Sequence, residues 1–229
     1  MMYNETMKTE EKFNGIKVFL YVLEGLADWE IAHAMAELNS RTYFTSDAPE
    51  IGIVKVGKTM QAVKTMGGFK IEPDMEVSDL QNICMNCGLG KKDMLILPGS
   101  NRWLETDNSE IMTCAKKFLD SGNFVAGICG ATVAMANAGL LNECAHTSND
   151  KSVLKMFCPG YKGENFYCES LCVSEKNLIT ASGIASVEFA REIIRCLGVF
   201  SEKTLEAWYN LYALKKSSCF YELLESMKK

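Results

Sequence analysis

Phe124-Val125-Ala126-Gly127-Ile128-Cys129-Gly130-Ala131-Thr132 is the stretch on which the reading of this chain turns. Its first half is apolar and β-rich. Beyond it, Val133-Ala134-Met135-Ala136-Asn137-Ala138 is a good helix former, ended by Gly139. A strand therefore runs into a helix through a turn of Gly, Cys and Gly. The pattern is G-x-C-x-A, a nucleophile elbow with Cys129 where an esterase would carry Ser. Small neighbours let the backbone turn sharply through an unfavourable dihedral at the nucleophile. The thiol then stands at a helix N-terminus, where unpaired N–H groups and the helix dipole favour the thiolate. The same residues also fit a buried cysteine in an ordinary βα turn, and Cys129 alone does not separate the two readings.

Outward from the elbow the chain alternates strand and helix. Ile16–Leu23 (IKVFLYVL) is a nearly continuous apolar run, as in a strand buried on both faces of a parallel sheet. Asp28 is expected to cap a first helix carrying Ile31, Met35 and Leu38, which sets Glu30 in its first turn. A Glu in that position is commonly a surface residue that complements the helix dipole. Ile51–Val56 reads as a second strand, and Met60–Pro73, with Gly67-Gly68, as a small β excursion. Asp93–Leu97 is another buried strand, running into Pro98-Gly99-Ser100. Asp107 with Glu110 suggests a capping box for a helix with an Ile111, Cys114, Ala115, Phe118, Leu119 face, closed by Gly122. After the elbow helix, His146-Thr147-Ser148-Asn149 is expected to end a short strand, and a helix to follow from Asp150 to Phe157. Phe166–Ser174 and Asn177–Ala181 read as strands, followed by a helix through Val187, Ala190, Ile194 and Leu197, stopped by Gly198. Ser201 caps a final helix with Leu205, Trp208, Tyr209 and Tyr212 on one side, continuing to Leu223 and Leu224. This alternation means an α/β fold with a doubly wound, mostly parallel sheet.

The 229 residues suit one large α/β domain with a full core. The expected division is a loose arm over 1–14, the domain over 15–200, and a C-terminal helical extension over 201–229 packed on the domain or on a partner. Net charge is −5, which argues against a nucleic-acid or anionic-membrane surface. No apolar run is long enough for a membrane span. The polar start, Met1–Asn14, lacks the apolar core of a secretory signal. Ten cysteines, irregularly spaced, fit reduced cytoplasmic thiols better than a disulfide scaffold. Cys84-Met85-Asn86-Cys87 has C-x-x-C spacing, but Cys158, Cys168 and Cys172 do not complete a known zinc pattern. No metal and no cofactor are expected.

In an open α/β sheet, sites form beyond the carboxyl ends of the strands. Glu30 follows the first strand, Gly99-Ser100 a middle strand and Cys129 the next, so all three converge if those strands are neighbours. Backbone N–H groups near Gly99, Ser100 and Gly130 would then form an oxyanion hole. A protonated Glu30 would hydrogen-bond the Cys129 sulfur or pass protons to a substrate.

With these pieces in place, the chain resembles the ThiJ/PfpI family of the class I glutamine amidotransferase-like superfamily. The resemblance rests on VFLYVLEGLADWE, DMLILPG, VAGICGAT, HTSN and LITASGIASVEFAREII, in family order from about Ile16 to Gly198. It implies a flavodoxin-like three-layer sandwich, usually a homodimer, with a reactive elbow Cys and an acid at the end of the first strand. These roles carry over to Cys129 and Glu30. Two positions depart from the family. Its proteases place His directly after the Cys, where this chain has Gly130. Other members draw a His from the segment after the elbow helix, where this chain aligns Asn149, with His146 three residues earlier. His146 is therefore the candidate base, and His33, one turn after Glu30, a structural or surface residue.

Three function classes remain. In the first, Cys129 with Glu30 acts on a small-molecule electrophile, by the hydrolase or amidase, glyoxalase or deglycase, or hydratase chemistry the resemblance implies. In the second, Cys129 is oxidised to a sulfinic acid held by Glu30, in a redox-sensing or stress-protective role. In the third, the fold is a noncatalytic binding domain. The absence of a His beside the thiol makes peptidase activity doubtful.

Overall fold

In the computed structural model, which describes residues 13–227 apart from Cys87 and Thr106, the strand–helix alternation is realised as a seven-stranded sheet. The N-terminal arm, except Phe13 and Asn14, lies outside the described residues, as does the second cysteine of the C-x-x-C pattern. In chain order the elements are β1 (Ile16–Val22), α1 (Asp28–Ser40), β2 (Ile51–Gly57), β3 (Val63–Lys64), β4 (Lys70–Ile71), β5 (Met75–Glu76), α2 (Val77–Met85), β6 (Met94–Leu97), α3 (Ser109–Asp120), β7 (Phe124–Ile128), α4 (Gly130–Asn137), α5 (Lys151–Phe157), β8 (Cys172–Glu175), β9 (Leu178–Ala181), α6 (Ser186–Leu197), α7 (Glu202–Leu214) and α8 (Ser218–Ser226).

The sheet order is β5-β2-β1-β6-β7-β9-β8, parallel except for β8 against β9. β3 and β4 form a separate antiparallel hairpin, the expected excursion. The four central strands, β1, β6, β7 and β9, are almost wholly buried, which explains why their sequences run apolar without alternation. From β1 the chain moves outward to β2 through α1. From β6 it moves the other way, through α3 to β7. Right-handed crossovers put those helices on opposite faces, giving the flavodoxin-like three-layer α/β sandwich. α1 packs beside α6 on one face and α2 beside α3 on the other. The reversal of direction lies between β1 and β6, and the loops carrying Glu30, Gly99-Ser100 and Cys129 meet there.

The local expectations need correction at several points. Asp28 is the first residue of α1, not its cap; Ala27 precedes the helix, and the Asp28 carboxylate accepts the Gly67 N–H of the β3–β4 turn at 2.6 Å. The Asp107–Glu110 box does not form: Asn108 precedes α3, and Asp107 instead accepts the Ser109 N–H at 2.9 Å. Residues 166–171 are not strand. Tyr167 makes only an isolated bridge to His146, which is likewise not in a strand. Helix α2, which the sequence pattern does not announce, buries Val77 and Leu80. The final helix is two helices, separated by Lys215 in the left-handed conformation at φ 55°. In α7, Leu205 and Trp208 are buried, and the Trp208 indole N–H donates to Glu37 of α1 at 2.9 Å. Among the described residues no helix is long and apolar enough to cross a membrane.

Candidate functional site

Cys129 follows β7 directly and precedes α4, and its backbone stands at φ 58°, ψ −124°. A non-glycine residue in that region is strained and persists only where its surroundings hold it. The restraints are visible. The Cys129 N–H donates to Ala181 O at the end of the neighbouring strand β9 at 2.9 Å, while its carbonyl accepts from the Thr132 N–H at 3.1 Å and Thr132 Oγ1 at 2.6 Å. Thr132 is in turn tied to Ser148 at 2.7 Å. The strained residue is thus pinned from the sheet, from its own helix and from the segment after it.

Glu30 is fully buried, 0% exposed, in the first turn of α1. Its Oε2 accepts the Gly99 N–H at 2.6 Å. Its Oε1 has no hydrogen-bond partner and faces the Cys129 thiol, close enough for each group to shift the other's protonation. Burial raises the Glu30 carboxyl above the usual carboxylate range, and the interactions with Cys129 and the Gly99 N–H offset this only in part. Apart from the thiol it faces, this oxygen has no polar partner, and a carboxyl oxygen so poorly satisfied in a protein interior costs stability. Two glycines permit the approach. A Cβ on Gly99 would collide with Glu30 Oε2 and lie 2.7 Å from Cys129 Cβ; a Cβ on Gly183 would lie 2.8 Å from Cys129 Sγ.

The position where a family His was sought holds Asn149, and Asn149 does reach the sulfur: its Nδ2 donates to Cys129 Sγ at 3.2 Å. Its Oδ1 accepts the Gly183 N–H at 2.8 Å, which fixes the amide's orientation. His146 is not brought to the thiol. It is fully buried, with Nε2 2.6 Å from the Tyr161 hydroxyl and Nδ1 2.8 Å from Cys144 O, and its ring meets Tyr161 and Tyr167 edge-on. His33 packs its ring against Tyr212 and Trp208 of α7, with centroids 5.0 and 6.2 Å away.

Two electrostatic expectations change. The Cys129 thiol is not a resting thiolate: burial, chiefly, pushes it up to about 11; the Asn149 amide pulls it back in part, the nearby Glu30 raises it further, and the Gly130 N–H lowers it least. Desolvation outweighs the helix end, and among the described residues lining the cavity beside the sulfur there is no cation to offset it. The Gly99 N–H, expected in an oxyanion hole, is taken by Glu30.

A cavity of about 300 Å3 opens beside the thiol. Glu30, Gly99, Ser100, Gly130 and Asn149 border it, together with aromatic residues that sequence reasoning did not single out: Trp29, Trp103 and Phe157. Trp29 was detectable in principle, since it is the residue before Glu30. Trp103 follows Ser100 by only three residues, but no spacing or motif marks its ring as turned toward the thiol.

Comparison with known proteins identifies the family and the fold. The DJ-1/PfpI family model matches residues 16–196, the span that contains both Glu30 and Cys129. The protein named "Uncharacterized protease YoaZ" of Bacillus subtilis (strain 168) is 43% identical over 213 residues, covering 93% of this chain and 98% of that one. Among solved structures, a thiJ/pfpI family protein from Bacillus anthracis superposes with a TM-score of 0.87 at 42% identity, covering 96% of this chain and 100% of that one. A DJ-1 superfamily protein from Agrobacterium tumefaciens gives 0.74 at 31% identity, covering 87% and 98%. A family match through the whole sheet, with the acid after β1 and the strained cysteine after β7 both inside it, places this chain in the DJ-1/PfpI family.

Proposed function

We propose that this protein acts on small-molecule electrophiles through Cys129, with Glu30 as the proton-transferring group. The carrying observation is the buried, unpaired Glu30 Oε1 facing a thiol that has no histidine beside it. A thiol held near 11 supplies little thiolate at neutral pH, so attack needs a base at the moment of reaction. On an aldehyde, the sulfur forms a bond to the carbonyl carbon and the C=O π pair moves to oxygen. The S–H proton passes to Glu30 and from Glu30 to that oxygen, giving a hemithioacetal with no external oxidant. Ser100 and Gly130 line the same cavity, and their N–H groups are the remaining candidates to hold the developing oxyanion. Peptide hydrolysis is disfavoured, because a strongly basic leaving amine needs an imidazolium-like acid and Asn149 has none to offer. Action as a homodimer in the cytoplasm remains part of the proposal, by analogy with the family.

Oxidation of Cys129 to a sulfinic acid held by Glu30 is the second reading, since it uses the same carboxyl. The raised thiol pKa counts against it, because peroxide attacks the thiolate. One experiment ranks the readings: purified protein is given methylglyoxal, casein or graded peroxide, and Cys129 is followed by mass spectrometry. Turnover of methylglyoxal that is lost in Cys129→Ala, with casein untouched, is the expected result. Sulfinylation at low peroxide without aldehyde turnover would favour the second reading. Casein hydrolysis abolished in both Cys129→Ala and His146→Ala would restore a Cys-His peptidase.

A further inference from the structure

Resting on the reading of Cys129 as a nucleophile, the cavity beside it points to a narrower substrate class. We propose that the site selects uncharged electrophiles carrying a flat apolar or aromatic group, and discriminates against carboxylate- or phosphate-bearing ones. Two features of the cavity carry this.

The first is its wall. Trp29, Trp103, Leu104, Val153 and Phe157 supply apolar lining to the cavity beside the sulfur. Both indoles are oriented through their N–H groups: Trp29 Nε1 donates to Gly183 O at 3.1 Å, and Trp103 Nε1 to Pro98 O at 2.7 Å. Each ring is thereby positioned before any ligand arrives, so little ordering entropy is lost on binding. Trp29 is 50% exposed, Leu104 53% and Phe157 45%, and they stand together at one opening, unlike apolar residues scattered singly over a surface. A cavity of roughly 150 Å3 is enough to accept benzene. The 300 Å3 here therefore exceeds what a two- or three-carbon electrophile fills.

The second feature is charge. Among the described residues bordering the cavity there is no Lys, Arg or His. Its one ionisable carboxyl is Glu30, fully buried and with Oε1 unpartnered. An anionic ligand would lie beside that carboxyl and the developing thiolate with no cation to compensate, whereas a neutral one meets only dipoles such as the Asn149 amide. Sites built for carboxylates or phosphates supply Arg, Lys or an array of N–H donors, and the Gly99 N–H that would join such an array is already held by Glu30.

The test uses one leaving group and three substituents. Iodoacetate, iodoacetamide and N-benzyl-iodoacetamide each alkylate sulfur by the same displacement: the S–C bond forms, the C–I bond breaks, iodide leaves and the thiol proton passes to solvent. Rates at Cys129 are read by peptide mass spectrometry on the full chain and divided by the rate of each reagent with 2-mercaptoethanol. The expected normalised order is N-benzyl-iodoacetamide, then iodoacetamide, then iodoacetate, with about tenfold or more between successive reagents. Trp29→Ala, at a half-exposed position, should shrink the ratio of the benzyl reagent to iodoacetamide. Iodoacetate matching iodoacetamide, or a benzyl reagent with no advantage, overturns the selectivity while leaving Cys129 a nucleophile. A Cys129 inert to all three reagents overturns the underlying functional reading as well.

Discussion

Glu30 and His146 are both wholly buried titratable side chains, and the protein treats them in opposite ways. His146 has each ring nitrogen matched, one to Tyr161 and one to Cys144, and two tyrosine rings against its sides. Burial keeps it neutral, below the usual histidine range, and a neutral imidazole with both nitrogens satisfied is a stable interior group. Glu30 has one oxygen satisfied by Gly99 and the other left without a partner, against a thiol on a strained backbone. The difference teaches where to look for chemistry. Of the two residues a sequence reader would nominate beside Cys129, the one with unspent bonding capacity is the reactive candidate, and the fully bonded one is structural.

The contrast breaks most readily at Glu30. Glu30→Gln keeps an acceptor for the Gly99 N–H but cannot take a proton, so it should lower Cys129-dependent turnover by about 10²–10⁴-fold. The melting temperature should stay near that of the parent, and a comparable loss of stability would mean the carboxyl is there for the fold. The pH profile of simple alkylation comes next. With the thiol at about 11, the iodoacetamide rate at Cys129 should rise about tenfold per pH unit from 7 to 10, where an ordinary thiol levels off near 8.5. The sign follows from the raised pKa: the thiol is protonated over that range, and each unit of pH multiplies the thiolate. A plateau below pH 8 would show a resting thiolate and restore the helix-end expectation.

The histidine arm predicts the reverse pattern. His146→Ala removes a buried ring with two hydrogen bonds, and should cost about 2–4 kcal/mol in denaturant unfolding. Alkylation of Cys129 in the folded variant should stay within about twofold of the parent, given how little a group outside the site changes a local barrier. A loss of Cys129 reactivity larger than the loss of stability would make His146 part of the site. A more modest effect than at Glu30 is expected at Asn149. Asn149→Ala deletes the N–H bond that pulls the thiol pKa down, so iodoacetamide labelling near pH 8 should slow about three- to tenfold. Faster labelling would mean the amide shields the sulfur rather than polarising it.

Much of this architecture is legible in the chain because it rests on local signals. Strands buried on both faces must be apolar throughout, so Ile16–Val22 and Phe124–Ile128 declare themselves. Gly122, Gly139 and Gly198 sit at positive φ after helices, where L side chains are strained, so they mark those ends. The elbow declares itself because the turn demands small residues around Cys129. Failures fall where a choice depends on partners distant in sequence. Whether Asp28 caps its helix or receives Gly67 is decided by where the β3–β4 hairpin lands. Whether 202–226 is one helix or two turns on how α8 folds back on α7, with Ser226 reaching Thr204 at 3.2 Å.

The sequence by itself determined the buried central strands and the helices that alternate with them, the βα turn at Cys129, and the acid after β1, because each is written in neighbouring residues and their periodicity. Only the tertiary structure decided what those residues do to one another. It set Asn149 rather than His146 on the sulfur, gave the Gly99 N–H to Glu30, and left Glu30 Oε1 unpaired. It also turned the thiol from an expected thiolate into a protonated group, because desolvation is a property of everything packed around an atom and has no local signature in the chain.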